Sequence, residues 1–163
     1  MAGRVMVDSE ADEGHVRSSG VIRFEEGLIR YEGQAGDGWE LALSDVVVIG
    51  ECTNQNGPFA DDWFLCFATG PREWYEVSGD AGGYGDFLHE LGIRLGEALS
   101  PGLFFSTDFA SVILWPGELR GRPMFRYAKV TSSSWLMRLL RIPTVEQRLS
   151  GEVSALCSED RAS

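Results

Sequence analysis

The stretch VVVIGECTNQNGPFADDWFLCFATGPREWYEV, residues 46–77, decides the fold that we expect for this chain. It contains three β-prone runs, at 46–52, 63–68 and 73–77, with Gly, Pro and Asn residues between them. Apolar runs that are separated by such turn residues predict antiparallel strands. The run at 63–68 is the most apolar in the chain, and we therefore place it in the centre of the sheet.

The flanking sequence extends this sheet on both sides. Before residue 46, a hairpin is predicted from 21–24 and 28–31 around Glu25-Glu26-Gly27, and a strand at 39–43 begins a meander that runs to residue 77. After residue 77, apolar residues recur at steps of three and four over 84–99, which predicts one amphipathic helix. Further strands are expected at 111–115 and 123–130, a short helix at 135–141, and a loosely helical segment at 145–156.

These elements predict an α+β fold with a mainly antiparallel, twisted sheet or partly open barrel of six to eight strands. One main amphipathic helix packs on the sheet, and a helical C-terminal extension follows. We divide the chain into a flexible leader at 1–19, a core domain at 20–131, and an extension with a disordered tail at 132–163.

Charge limits the partners of the chain. The 163 residues carry a formal net charge of −11, with 20 acidic and 6 basic side chains in residues 1–116. Residues 117–148 reverse this balance, with seven basic and two acidic side chains. An acidic body opposes binding of nucleic acid and of anionic membranes. The same sequence has no apolar run long enough for a signal peptide or a membrane span, and we expect a cytoplasmic protein.

The three cysteines predict no disulfide framework and no metal site. Cys52, Cys66 and Cys157 are odd in number, and their spacing fits no zinc motif. Cys66 lies in an apolar run and is expected to be a buried, inert thiol that Cys52 faces from the paired strand. Cys157 lies near the end of the sequence, where we expect a reactive thiol.

The acidic residues Asp61, Asp62 and Asp108 are the one carboxylate grouping that suggests chemistry, with Glu51 as a neighbour. Such a group binds Mg²⁺ or Ca²⁺, and would make the chain a metal-dependent hydrolase. The favoured interpretation is that Asp61 and Asp62 protect an apolar strand from edge aggregation. Of the two histidines, His15 lies in the leader and His89 on the exposed side of the predicted helix. We predict no catalytic residue, no cofactor and no metal ligand, so the chain is expected not to be an enzyme.

Residues with the composition of interaction surfaces follow the predicted core strands. Tryptophan, methionine and arginine are enriched at the energetic centres of interfaces. The surface that we predict consists of Trp115, Glu118, Trp135, Met137, Arg138 and Arg141. Packing of the short helix on its own domain, packing on a second copy of the chain, and contact with a different partner or a membrane surface all fit this composition.

The order of these elements, a strand meander covered by an amphipathic helix, resembles small β-barrels of the pleckstrin-homology type. The runs GPFADDWFLCFATG and STDFASVILWPGELRGRPMF are similar to an uncharacterised bacterial domain family. The resemblance covers about residues 21–127 and transfers no functional residue. In the simple barrel the helix comes last, whereas strands continue here after residue 99.

Three hypotheses of function follow from the sequence. The first is a non-catalytic bacterial interaction or ligand-binding module. It associates with itself, or with another protein, through its basic C-terminal third, the region that contains residues 117–148. The second is an acidic inhibitor or immunity protein that masks a cationic toxin or nuclease, which predicts tight binding that weakens with salt. The third is the metal-dependent hydrolase that would use Asp61, Asp62 and Asp108.

Overall fold

A computed structural model describes residues 20–34, 36–53, 63–103, 110–130 and 144–160 of the chain. The predicted leader and the short helix at 135–141 lie outside these residues. The described residues form nine strands and two helices, which confirms the α+β class with antiparallel sheets. The strands are β1 Val21–Glu25, β2 Leu28–Glu32, β3 Gly38–Ala42, β4 Val48–Thr53, β5 Trp63–Gly70, β6 Glu73–Ser78, β7 Ser111–Trp115, β8 Phe125–Val130 and β9 Thr144–Leu149; the helices are α1 Tyr84–Leu95 and α2 Gly151–Asp160.

The first sheet contains three strands in the order β1-β2-β3. Its predicted hairpin is confirmed, because β1 and β2 pair antiparallel around a two-residue turn. Glu26 and Gly27 in this turn have φ angles of 52° and 84°. Two consecutive positive φ angles match the right-handed twist of a hairpin, and glycine adopts the second at no steric cost.

The predicted meander from 39 to 77 is wrong at its first step. β3 pairs only with β2 among the described strands, and a 3₁₀ turn at Leu43–Asp45 leads the chain into a second sheet. This second sheet has the order β6-β5-β4-β7, so the central position that we predict for β5 is confirmed. β8 and β9 form a third, two-stranded sheet.

Helix α1 begins at Tyr84 as predicted but ends at Leu95, four residues before the predicted end. Gly96 turns the backbone into the left-handed region with φ 70°, and the amide of Glu97 donates to the carbonyl oxygen of Gly92. This backbone pattern closes a helix because it satisfies carbonyl groups that have no partner within the helix. Leu99, in the segment after the helix, packs against the apolar cluster that contains Phe87 and Leu91 of α1.

The second sheet separates two apolar clusters, one on each face. The first cluster joins the first sheet and α1 to one face, through side chains such as Ile29, Phe67, Phe87 and Leu91. The second cluster lies on the opposite face and is covered by β8, β9 and α2. The side chains of β4 contact the two clusters alternately, because successive side chains of a strand point in opposite directions.

The end of the described chain contributes to this second cluster. The segment 145–156, which we predict to be loosely helical, begins instead as β9, and only its second half belongs to α2. Leu149 and Val153 from these elements are buried. Cys157 is wholly buried as well, so the prediction of a reactive thiol at this position is wrong. Residues 158–160, predicted to be disordered, belong to α2.

None of the helices in the described residues is long and apolar enough to cross a membrane.

We predict that Trp63→Ala lowers the free energy of unfolding by about 3–5 kcal/mol, since it removes a large buried side chain from the first residue of β5. Trp63 is 7% exposed, contacts Tyr84 edge-on at 5.1 Å between ring centroids, and lies where a Cβ on Gly79 would collide with its ring. Denaturant-induced unfolding measures the change. Ile93→Ala is the matched control, because Ile93 is 68% exposed on α1; a loss of similar size in both variants would contradict the prediction.

Candidate functional site

The carboxylate grouping predicted from the sequence is described only at Glu51. Asp61, Asp62 and Asp108 lie outside the described residues. Glu51 is 2% exposed on β4, and its carboxylate accepts three hydrogen bonds. The donors are the indole nitrogen of Trp63 at 2.9 Å and the backbone amides of Gly102 and Leu103 at 2.8 and 3.1 Å.

This arrangement indicates a structural role for Glu51. A carboxylate that accepts several N–H groups is stabilised in its buried position, and the amides it binds are held against the sheet. Glu51 also borders a cavity of about 330 Å³ whose other walls include Val112, Leu114 and Arg120. Both oxygens of Glu51 are already engaged with N–H groups of the chain and not with the space of this cavity.

The predicted interaction surface is described at two of its six residues. Trp115 ends β7, is half-buried, and packs against the first apolar cluster. Glu118 is exposed in a 3₁₀ turn at Gly117–Leu119. Trp135, Met137, Arg138 and Arg141 lie outside the described residues. Trp115, which the sequence assigns to an interface, is therefore in part a core residue.

Glutamates within the chain partly neutralise its basic third. Three of the arginines described there form ion pairs, and each pair is partly exposed to solvent. The pairs are Arg120–Glu97 at 2.6 Å, Arg148–Glu146 at 2.7 Å, and Arg122–Glu152. Exposed pairs contribute little to stability, but they lower the positive charge that this region offers to a partner.

An open groove lies where the first sheet meets the second. It has a volume of about 420 Å³ and is lined by residues of β2 and β3 and by Tyr75 of β6. β3 and β6 are edge strands of their sheets among the described residues. We call this groove the β3–β6 groove. Its lining consists of Arg30, Tyr31, Glu32, Gly38, Trp39, Glu40 and Tyr75.

Aromatic rings form much of the groove lining. Tyr31 and Trp39 lie directly opposite each other on β2 and β3, with ring centroids 5.7 Å apart. Tyr75 on β6 lies 5.2 Å from Trp39 and donates a hydrogen bond from its hydroxyl to Glu73 at 3.3 Å. The indole nitrogen of Trp39 is buried and has no hydrogen-bond acceptor among the described residues. Trp39 and Tyr75 are only 6% and 8% exposed, so the accessible aromatic surface of the groove comes mainly from the half-buried Tyr31, with polar groups at the margin.

Negative charge predominates around these rings. Glu32 and Glu40 line the groove, where Glu32 pairs with Arg23 at 2.7 Å. Glu73 accepts a hydrogen bond from Tyr75. Burial raises the pKa of Tyr75, and the nearby carboxylates of Glu73 and Asp45 raise it further. The one basic side chain in the lining, Arg30, is already paired with Glu25 at 2.9 Å and with Glu40 at 3.2 Å. A positively charged ligand is therefore favoured over a negatively charged one.

Sequence reasoning missed this groove. The alternation of Trp39 and Leu41 correctly indicated that one side of β3 faces a core. It did not indicate that β3 leaves the sheet of β4, and only that separation brings the edge of β3 beside Tyr75. The rings of Trp39 and Tyr75 come from strands more than 30 positions apart in the chain.

Comparison of the chain with protein-family models, with curated proteins and with solved structures finds no match in any of the three.

We predict that Glu51→Gln lowers the free energy of unfolding by about 1–3 kcal/mol, because an amide NH₂ then faces a backbone or indole N–H donor. A double-mutant cycle with Trp63→Phe, measured by denaturant unfolding, is expected to give a coupling of at least about 0.5 kcal/mol. Glu118→Gln is the control, since Glu118 is exposed. Additive effects of Glu51→Gln and Trp63→Phe would show that their hydrogen bond is unimportant.

Proposed function

We propose that this protein is a non-catalytic interaction module that binds an extended, basic polypeptide segment in the β3–β6 groove. The observation that carries the proposal is the meeting of two edge strands at a groove lined by aromatic rings and glutamates. A cytoplasmic location fits this function, and the buried thiols of Cys52 and Cys66, which form no disulfide, support it.

Edge strands make this groove suited to an extended segment. The outer edge of a strand carries backbone N–H and C=O groups that another strand can pair with. β3 is paired only on the side of β2, and β6 only on the side of β5, in the described part of the chain. Added strands gain affinity from main-chain hydrogen bonds and specificity from pockets for alternate side chains. The half-buried Tyr31 supplies accessible aromatic surface for such side chains, and the buried rings of Trp39 and Tyr75 pack beneath it.

Charge selects a basic segment. The chain as a whole has a net charge of −11, and the groove adds local carboxylates. A net negative field accelerates encounter with a cationic partner, and an ammonium or guanidinium group is attracted to the face of an aromatic ring. A second copy of the chain is a less favourable occupant, because its own body is acidic.

Three features support binding over catalysis. The described histidine, His89, is exposed on α1, away from the groove lining. Glu51 is engaged by three donors of the chain itself. Burial raises the pKa of the Cys66 thiol, and a protonated thiol is a poor nucleophile. The hydrolase hypothesis depends on Asp61, Asp62 and Asp108, all outside the described residues, and stays a prediction.

The inhibitor hypothesis is a special case of this proposal. If the basic segment belongs to a toxin or nuclease, occupation of the groove attaches an acidic protein to a cationic surface. The ion pairs Arg120–Glu97 and Arg148–Glu146 favour this case, since they reduce the repulsion that the basic third would exert on such a partner.

The test is a titration of the ¹⁵N-labelled chain with a capped (Lys-Val)₄ peptide, followed by nuclear magnetic resonance. We expect shifts at the indole N–H of Trp39 and at backbone amides of β3 and β6, and we expect them to weaken with salt. Trp39→Phe assigns the indole signal. Glu40→Lys should weaken the affinity about 5- to 10-fold, because it reverses a charge in the groove.

Two controls decide the outcome. Glu90→Lys makes the same change of charge on α1, where Glu90 pairs with Arg94 at 2.5 Å, and should leave the affinity within about twofold at 0.15 M salt. A capped (Glu-Val)₄ peptide should not bind. Shifts that map outside the groove, or equal binding of both peptides, would refute the proposal.

A further inference from the structure

Two thiols and a carboxylate converge on the face of the second sheet that is opposite to the groove. Cys66 on β5 lies directly across from Gly50 on β4 and from Glu76 on β6. Cys52 lies two residues beyond Gly50 and therefore on the same face. The sulfur atoms of Cys52 and Cys66 are 3.1 Å apart. One carboxylate oxygen of Glu76 and the two sulfurs all lie within 4.8 Å of one another.

The surroundings of this cluster are mostly apolar. Cys66 is fully buried and Cys52 is 4% exposed, within the second apolar cluster. Glu76 is half-buried, so the cluster approaches solvent on this side. The indole nitrogen of Trp74 and the side-chain amide of Gln147 donate to Oε1 of Glu76, at 2.8 and 3.2 Å. Oε2 of Glu76 receives no hydrogen bond from the described residues.

No basic side chain in the described part of the chain pairs with Glu76, whose hydrogen-bond partners are both neutral. Gln147 and its opposite residue Tyr127 mark the inward face of the third sheet. Arg126 and Arg148 are opposite each other one position along, and so they lie on its outward face. The thiols of Cys52 and Cys66 and the carboxyl group of Glu76, which can all become anions, therefore lie together with no basic side chain of the described residues paired to Glu76.

Burial disfavours the anionic forms of Cys66 and Glu76. It raises the pKa of Cys66 well above its ordinary value, with a further contribution from the contact with Cys52. It also raises the pKa of Glu76, against the opposing effect of the two N–H donors. A bound cation reverses this preference, because it stabilises the thiolate and carboxylate forms.

We propose that Cys52, Cys66 and Glu76 bind a zinc ion, or a divalent ion of similar softness, that ties β4, β5 and β6 together. Thiolate sulfur and carboxylate oxygen are both zinc ligands, and hard ions such as Mg²⁺ avoid sulfur. Three protein ligands leave the fourth tetrahedral position to a water on the side of Glu76. A disulfide between the two cysteines would use both thiols, but it would give Glu76 no role.

The geometry requires a small adjustment. Two thiolates at about 2.3 Å from a tetrahedral zinc ion have sulfurs about 3.8 Å apart. The sulfurs of Cys52 and Cys66 must therefore separate from 3.1 Å, which small side-chain rotations achieve. Binding of the ion displaces the protons of the two thiol groups to the solvent, and Glu76 binds as a carboxylate. Two thiolates and one carboxylate around a divalent ion give the site a net charge of −1, and Trp74 and Gln147 donate hydrogen bonds to this anionic site at Oε1 of Glu76.

The experiment uses the full chain, purified without a metal-binding tag and kept reduced. Zn²⁺ is titrated in competition with a chromophoric chelator, and Cd²⁺ is titrated while its sulfur-to-metal absorption in the ultraviolet is recorded. We expect one ion per chain, a Cd²⁺ absorption that corresponds to two thiolates, and an affinity that rises about tenfold per pH unit for each proton released. These readouts need no substituted residue, so they do not depend on whether a variant folds.

Variants then locate the site. Cys52→Ser and Cys66→Ser should each weaken Zn²⁺ binding at least about 100-fold, and Glu76→Gln about 10-fold or more. Cys157→Ser is the matched control, because Cys157 is a buried thiol of the same apolar cluster outside the three-residue group; its affinity should stay within about twofold. Circular dichroism in the absence of metal checks that each variant is folded.

Three outcomes would overturn the proposal. The first is a dissociation constant for Zn²⁺ weaker than about 10 μM in the reduced chain. The second is bound Zn²⁺ or Cd²⁺ without thiolate absorption, which would assign the ion to other residues. The third is loss of two hydrogen masses on treatment with hydrogen peroxide in a chain that has no Zn²⁺ affinity when reduced, which would identify Cys52 and Cys66 as a disulfide-forming pair.

Discussion

The pairing of β4 with β5 is the interaction on which the other parts of the structure depend. Its register places Ile49 opposite Phe67 on one face of the second sheet and Val48 opposite Ala68 on the other. A shift of one residue would exchange the two faces of a strand, because side chains alternate along it. Glu51 would then leave the amides of Gly102 and Leu103, and Cys52 would leave Cys66. Both apolar clusters and both proposed sites thus require this one register.

The two proposed sites use the sheets in different ways. The groove uses strand edges, whose backbone groups have no strand partner among the described residues, and its aromatic rings come from two sheets. The thiol cluster uses the middle of a sheet, where adjacent strands fix three side chains at short distances. An edge suits reversible association with another chain, whereas a covered face suits a tightly held ion. The acidic character of the chain is compatible with both.

Local patterns in the sequence were sufficient for most strands and for the first hairpin. They failed where a distant partner decides the structure. Residues 145–156 satisfy a spacing of four, which suggests a helix, yet the charged residues Glu146 and Arg148 are two positions apart, as residues on one face of a strand are. Pairing with β8 selects the strand for the first half. Gly96 is a signal for the early end of α1. A glycine within a segment of helical apolar spacing does not by itself predict a left-handed turn, however.

Among the functional residues too, local patterns predict some contacts, and distant strand pairing decides others. The contact between Cys52 and Cys66 follows from their positions in one hairpin, and that prediction is confirmed. The arrival of Glu76 beside them depends on a second register, between β5 and β6, which no local pattern fixes. Its only signal in the sequence is an acidic residue that shares a strand face with Trp74. The groove depends on the separation of β3 from β4, which has no evident signal in the sequence.

The position of β9 and α2 in the chain has a consequence for how the molecule is made. The second apolar cluster is complete only when Leu149, Val153 and Cys157 cover the face formed by β4, β5 and β7. A ribosome completes the strands of that face well before it adds these residues. During this interval the nascent chain exposes an apolar surface with free thiols, a state that invites chaperone binding. A chain that is truncated before residue 149 would therefore have its first cluster assembled and its second cluster only partly covered, by Met124 and Phe125.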